Sequence, residues 1–230
     1  IRDSYDYANQ ARLYLPTDTI SIQSTSPDQY AQYIADVVRK MAGDQKRPIL
    51  VLFTSHDILN RVYQRVRVPL LNEGREVLAQ GVGGSREKLL KRFLLSNDAL
   101  LFGADSFWEG VDLPGEILQL LIVTRLPFEN PKRLQVKARN EYLASEGINP
   151  FYQEAVPHAA LRLRQALGRL IRSDKDKGVM LLLDQRFITA KYGEKLRKAL
   201  PKDLPIKQLP LEEILLEADQ FLNSDKSDEN

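Results

Sequence analysis

Ile49–Leu50–Val51–Leu52–Phe53, followed at once by Thr54–Ser55, has the length and the β-rich composition of a strand, yet it does not alternate. A strand with one wet face would carry a polar residue at every second position, so this unbroken apolar run describes a strand covered on both faces. Similar segments recur in both directions along the chain. Upstream, Ala11–Arg12–Leu13–Tyr14–Leu15, closed by Pro16, reads as an opening strand. A helix then starts at Pro27–Asp28 and runs to about Met41, with Tyr30, Tyr33, Ile34, Val37, Val38 and Met41 on its apolar side and Gly43 ending it. Downstream come a helix from Asp57 to about Val66, a short strand over 77–80, the glycine cluster Gly81–Val82–Gly83–Gly84–Ser85 and a basic helix. Strands over 99–103 and 117–123 follow, then a charged helix from Pro131 to about Gly147 and a helical stretch from Pro150 to Arg172. A last core strand over 179–183 leads to a helix over 186–200, an edge strand over 206–209 and a short helix from Glu212 to Leu222. Strands alternating with helices imply an α/β fold, a three-layer domain around a mostly parallel sheet. Ligands of such sheets gather beyond the carboxyl ends of the strands, so the loops after Phe53, Gln80, Phe102 and Val123 are the candidates.

Composition narrows the functional classes. A 43% hydrophobic content over 230 residues is ample for one sizeable core, expected over 1–222, with a polar tail at 223–230 expected to be disordered. Net charge is only +2, from 33 basic and 31 acidic residues, so nucleic-acid binding must come from local patches. The absence of cysteine excludes disulfides, thiolate zinc sites and an iron–sulfur cluster within these residues, and suits a cytoplasmic protein. No run approaches the roughly 18 apolar residues of a membrane span. The start, Ile1–Arg2–Asp3–Ser4–Tyr5, is no signal peptide, and Ile in place of Met suggests a piece of a longer polypeptide.

Four stretches carry chemistry. Wound as a helix, Gln165–Ala166–Leu167–Gly168–Arg169–Leu170–Ile171–Arg172 puts Arg162, Gln165, Arg169 and Arg172 on one side and Leu163, Leu167, Leu170 and Ile171 on the other. Two guanidiniums one turn apart would make a clamp that bonds phosphate oxygens in pairs, with Gly168 leaving room for close approach. An ordinary amphipathic surface helix has the same pattern. The loop Gly103 to Gly115 holds the only tryptophan, Trp108, together with Asp105, Glu109 and Asp112, directly after a buried strand. Its acids can accept from an arginine, a ribose hydroxyl or a metal-bound water; in the plainer alternative Trp108 packs under the loop and the acids are solvated. Gly83–Gly84–Ser85 ahead of Arg86, Lys88, Lys91 and Arg92 offers N–H groups to an anion, and Thr54–Ser55 suits either a phosphate or the cap of the next helix. Leu181–Leu182–Leu183–Asp184 has the outline of a magnesium-holding strand end, but no phosphate-cradling G-x-x-x-x-G-K-[ST] exists, so Asp184 reads as structural.

Taken in order, Phe53–Thr54–Ser55, Ser106 to Gly115, Arg125–Leu126–Pro127–Phe128, Gln165 to Ser173 with Asp176–Lys177–Gly178, and Leu183–Asp184–Gln185–Arg186–Phe187 resemble the second motor domain of the DinG/XPD branch of superfamily 2 DNA helicases, closer to DinG. The likeness covers essentially the whole chain. It implies a RecA-like, P-loop-NTPase-like fold, helicase domain 2, with a helical insertion between motifs V and VI, facing a first motor domain across an ATP site. On motif VI it implies that Gln165, Arg169 and Arg172 reach the ATP phosphates, with Arg172 the arginine finger and Gly168 beside them. On motif V it implies that Glu109, Gly110 and Asp112 line the same cleft. Ser106, Trp108, Thr54 and Ser55 would lie on the DNA side. ATP with magnesium would be held mainly by the first motor domain in the same polypeptide, which in some relatives carries an iron–sulfur cluster or an amino-terminal exonuclease. The expected partner is single-stranded or forked DNA, and the expected activity is ATP-dependent translocation, with this domain inactive alone. Two rivals are a non-enzymatic nucleic-acid-binding module of an exonuclease and an ATPase acting on RNA or RNA–DNA hybrids.

Overall fold

The computed structural model describes residues 5–22, 24–108 and 117–224. Seven strands, β1 (Ala11–Pro16), β2 (Ile49–Leu52), β3 (Val77–Ala79), β4 (Leu100–Gly103), β5 (Leu120–Val123), β6 (Gly178–Leu182) and β7 (Ile206–Leu209), form one sheet in the order β3-β4-β2-β5-β6-β1-β7. Every pairing is parallel. The unbroken apolar run over 49–53 lies at its centre: Leu50 sits between Leu101 of β4 and Leu121 of β5.

Side chains alternate between two apolar layers along each strand. Leu50, Leu52, Leu101, Leu121 and Met180 face the layer covered by α4 (Arg86–Leu95), α6 (Val156–Leu167) and α8 (Gly193–Lys198). Ile49, Val51, Phe53, Phe102 and Ile122 face the other, covered by α2 (Pro27–Asp44), α3 (His56–Asn72) and α9 (Leu211–Asn223). Both layers being helical, the central strands could keep no polar alternation, which is why their runs are unbroken, while edge strand β7 carries exposed Lys207 and Gln208. Short helices α1 (Tyr7–Gln10) and α7 (Arg186–Thr189) flank β1 and β6. The insertion between β5 and α6 contains α5 (Leu134–Ser145), whose one buried residue is Val136, and a wide helical turn over Phe151–Ala155 that leads into α6.

Helix starts follow the sequence more closely than helix ends. Ser26 caps α2 through a reciprocal pair with Gln29, and Pro27 occupies the first helical turn. Gly43 does not stop α2, which continues to Asp44. Likewise α3 passes Val66 and runs to Asn72 through Pro69, because the continuation buries Leu70; it stops at Gly74, whose φ of 79° suits only glycine well. The next residue, Arg75, is fully buried and donates to the carbonyls of Ala42, Gln45, Arg47 and Asp98, so it ties the end of α2 to the strand side of the fold.

The arginine stretch departs most from expectation. Helix α6 ends at Leu167, and Arg169 and Leu170 continue in a tightened turn with N–H bonds to Ala166 O and Leu167 O at 3.2 and 3.0 Å. A longer helix would carry Leu170 away from the sheet. Instead Leu170 packs so closely on Gly178, the first residue of β6, that a Cβ there would sit 2.6 Å from it. Leu170 and Ile171 are buried as the apolar periodicity required, but Arg169 and Arg172 do not share a helix face. At the carboxyl end of the chain, α9 runs to Asn223, one residue past the expected boundary, and residues 225–230 lie outside the described part.

Candidate nucleotide and nucleic-acid interface

Gly103 ends β4 and lets the chain fold back on itself: a Cβ there would lie 2.4 Å from Phe107, which is wholly buried. Trp108 follows, 2% exposed, with its indole N–H donating to Phe53 O at 2.6 Å. Arg169 closes this bracket. Its Nη1 donates to Phe107 O and its Nη2 to Trp108 O, both at 2.6 Å, and it is 4% exposed. Burial, and then the positive charges of Arg172 and Arg86, lower its pKa to about 10, so it stays charged at neutral pH. Arg86, half-buried at the start of α4, stands 5.6 Å over the Phe107 ring.

Three arginines from separate elements therefore converge: Arg86 after the glycine turn, Arg169 after α6, and Arg172 on the loop before β6. The sequence places Arg86 on the basic face behind the Gly83–Gly84–Ser85 anion turn, with an ordinary basic helix as the plainer alternative; Ser85 caps α4 there. Guanidiniums gathered in a partly buried site suit a polyphosphate, whose oxygens a planar fork can bond in pairs. Arg172 is half-buried, and its loop is fastened by backbone bonds rather than by a helix. Gln165 is exposed on α6, and Gly168 has an ordinary φ of −64°. Glu109, Gly110 and Asp112 lie outside the described residues.

A second surface follows the carboxyl ends of the strands. Thr54, Ser55 and His56 line a cavity of about 240 Å³ together with Phe128, Arg133 and Arg162. Ser55 also caps α3, at 3.5 Å from Ile58 N, so the capping role is present. Trp108 reaches this cavity only at its edge; its burial and its bond to Phe53 make it a support for the wall rather than a free stacking face. Ser106 is exposed and accepts from Gln80 Nε2 at 3.2 Å.

Phe128 and Glu129 are shared with a neighbouring cavity of about 560 Å³, where Phe128, Phe151 and Tyr192 stand with ring centroids 5.1 to 5.4 Å apart. Arg186 and Tyr192 in turn are shared with a third cavity, of about 620 Å³, bordered by Thr17, Thr19, Ser21 and Thr189. The result is one groove of hydroxyls, aromatic rings and arginines along the ends of β2, β5, β6 and β1. Asp184, between two of these cavities, accepts from Leu126 N and from Arg186 and is 1% exposed, as its structural reading required. No helix of the described residues is long and apolar enough to cross a membrane.

Residues 38–203 match the family described as the helicase C-terminal domain. The chain belongs to that family, on its DinG/XPD branch. It is 41% identical over 202 residues to the 3′-5′ exonuclease DinG of Bacillus subtilis, covering 87% of this chain and 22% of that protein. It is 38% identical over 202 residues to the ATP-dependent DNA helicase DinG of Photobacterium profundum, covering 86% and 28%. Against the ATP-dependent DNA helicase YoaA of Escherichia coli the identity is 33% over 197 residues, covering 86% and 30%. The chain thus spans less than a third of these relatives. Among solved structures it is similar to an XPD helicase, with a TM-score of 0.65 and 22% identity over 86% of this chain and 35% of that one. It is also similar to S. cerevisiae Dbp5 bound to RNA and ADP–BeF3, with a TM-score of 0.58 and 14% identity over 94% and 46%. At those identities the likeness is one of fold, the RecA-like second domain.

Proposed function

We propose that this chain is the second motor domain of an ATP-dependent DNA helicase or translocase, and that it supplies half of an ATP site whose other half lies on a first motor domain in the same polypeptide. The observation that carries the reading is the convergence of Arg86, Arg169 and Arg172, a cationic site built from three elements. Arg172 is the arginine finger: it meets the charge that develops on the γ-phosphate when the two domains close. Arg169 holds Phe107 and Trp108, and so shapes the segment that leads into Glu109, Gly110 and Asp112. Gln165 and Gly168 flank the same cleft. The first domain holds ATP and its magnesium ion; this chain contributes positioning and charge. Single-stranded or forked DNA lies along the groove at the strand ends, where Thr54, Ser55, Ser106, Arg133 and Arg186 meet phosphates and Phe151 and Tyr192 meet bases.

Residues 1–230 alone should turn over ATP at background, with or without single-stranded DNA, and recover activity when the upstream motor domain is restored. A magnesium-dependent ATPase of the purified chain that vanished on Arg172→Ala would reveal a complete site here and overturn the two-domain reading. The name of the Bacillus relative, an exonuclease, favours a second reading: a nucleic-acid-binding module without ATPase in a nuclease. The retained arginine cluster weighs against it, and ATPase of the longer polypeptide separates the two.

A further inference from the structure

Arg172 sits on a loop, yet an arginine finger acts only if its guanidinium is held to within a fraction of an ångström. The loop's fastenings are therefore part of the reaction. One carboxylate oxygen, Asp176 Oδ2, accepts from the N–H of Arg172 at 2.7 Å and of Ser173 at 2.8 Å. Gln10 Nε2 then donates to Ser173 O at 2.7 Å and to Asp176 O at 3.0 Å, which uses both of its N–H bonds on this loop. Gln10 Oε1 is occupied by Asp6 N at 2.9 Å, so the amide can point only one way. Tyr5 completes the set by donating its hydroxyl to Arg172 O at 2.6 Å. Gln10 and Asp176 are each 5% exposed, among the few buried polar side chains of the domain.

These bonds span more than 160 positions of sequence, as the separations of 163, 166 and 167 residues show. They join the amino-terminal segment to the loop that carries Arg172. A packing role would be served by apolar side chains, and the Tyr5 ring already packs against the first apolar layer. The donors fit only the loop's carbonyls.

We propose that Tyr5, Gln10 and Asp176 are positioning residues for Arg172, so that the segment through which the chain enters this domain sets the placement of the finger; this rests on the arginine-finger reading above. In the longer polypeptide that carries this domain, Gln10→Met keeps the bulk and removes the bonds. It should lower kcat for DNA-stimulated ATP hydrolysis by about 10²-fold, and Tyr5→Phe by about 10-fold, with KM for ATP changed less than about 2-fold. Because they act through Arg172, each should change kcat by less than about 2-fold when added to Arg172→Ala. Amide hydrogen exchange at Arg172 and Ser173 should quicken by about 10-fold in Gln10→Met, as expected for a locally loosened loop. Full losses persisting in the Arg172→Ala background, or unchanged exchange at those two amides, would overturn the proposal. Should Gln10→Met fail to fold, Tyr5→Phe, which removes one hydroxyl from a half-buried ring, decides it by the same readouts. If Arg172→Ala itself left turnover intact, the finger reading would fall, while amide exchange would still report whether the bracket holds the loop.

Discussion

Arg169 and Arg172 stand three residues apart and occupy opposite kinds of surroundings. Arg169 is 4% exposed and both ends of its guanidinium fork are committed to the carbonyls of Phe107 and Trp108. Arg172 is half-buried on a loop whose backbone is pinned by Asp176 and Tyr5. Equal charge and near neighbours in sequence thus separate: Arg169 braces the wall of the site, and on the proposed reading Arg172 is the one that meets the phosphates. A guanidinium already bonded to two protein carbonyls has few donors left for a phosphate.

That contrast can be broken at its functional end first. Arg172→Ala in the longer polypeptide should lower DNA-stimulated ATP turnover by about 10³-fold or more, the range of arginine fingers. The melting temperature and DNA binding without nucleotide should stay unchanged; a variant that unfolded instead would move Arg172 into the structural class with Arg169. Next in size, Arg169→Ala strands two buried carbonyls and should cost about 3 kcal/mol of stability in chemical denaturation of the chain. A cost under about 0.5 kcal/mol would mean the wall does not need it.

Trp108 tests the far end of the same wall. Trp108→Phe keeps the ring but loses the bond to Phe53 O, and should cost about 1 kcal/mol, or roughly 2 to 4 °C in melting temperature. Wild-type Trp108 emission should be blue-shifted and poorly quenched by iodide; ready quenching would contradict its burial. The smallest effects belong to the groove. Single-strand binding by this chain should fall with salt at a log–log slope between about −1.4 and −2.8, for roughly two to four neutralised phosphates. Leu134→Ala, at a position 85% exposed on α5, should change stability by less than about 0.5 kcal/mol. A steep slope would mean that far more of the surface binds than the groove provides.

Much of the fold was legible because it rests on local pattern. The strands at the centre of the sheet show as apolar segments, and the caps at Ser26, Ser55 and Ser85 mark helix starts. Helix ends were less so. Gly43 reads as a stop and the helix from Asp57 reads only to about Val66, but continued packing of α2 and burial of Leu70 outweigh a flexible residue and the bond lost at Pro69. In the site, the residue types of motif VI were legible and their geometry was not, since periodicity assumes that a helix continues. Arg86 was legible on the basic face behind the glycine turn, but its place beside Arg169 and Arg172 was not, because those come from other elements.

By itself, then, the sequence determined a parallel α/β sheet covered on both faces, one core, and arginines concentrated near Gly168, because unbroken apolar runs and amphipathic helices follow from residue order alone. Only the tertiary structure decided which arginine would be buried, that Arg86 joins them, and that Tyr5 and Gln10 hold a loop more than 160 residues away. Those outcomes depend on which backbone carbonyls lack partners once the sheet has formed. A buried carbonyl draws the nearest available donor wherever that donor lies in the chain, and no local pattern records the pairing.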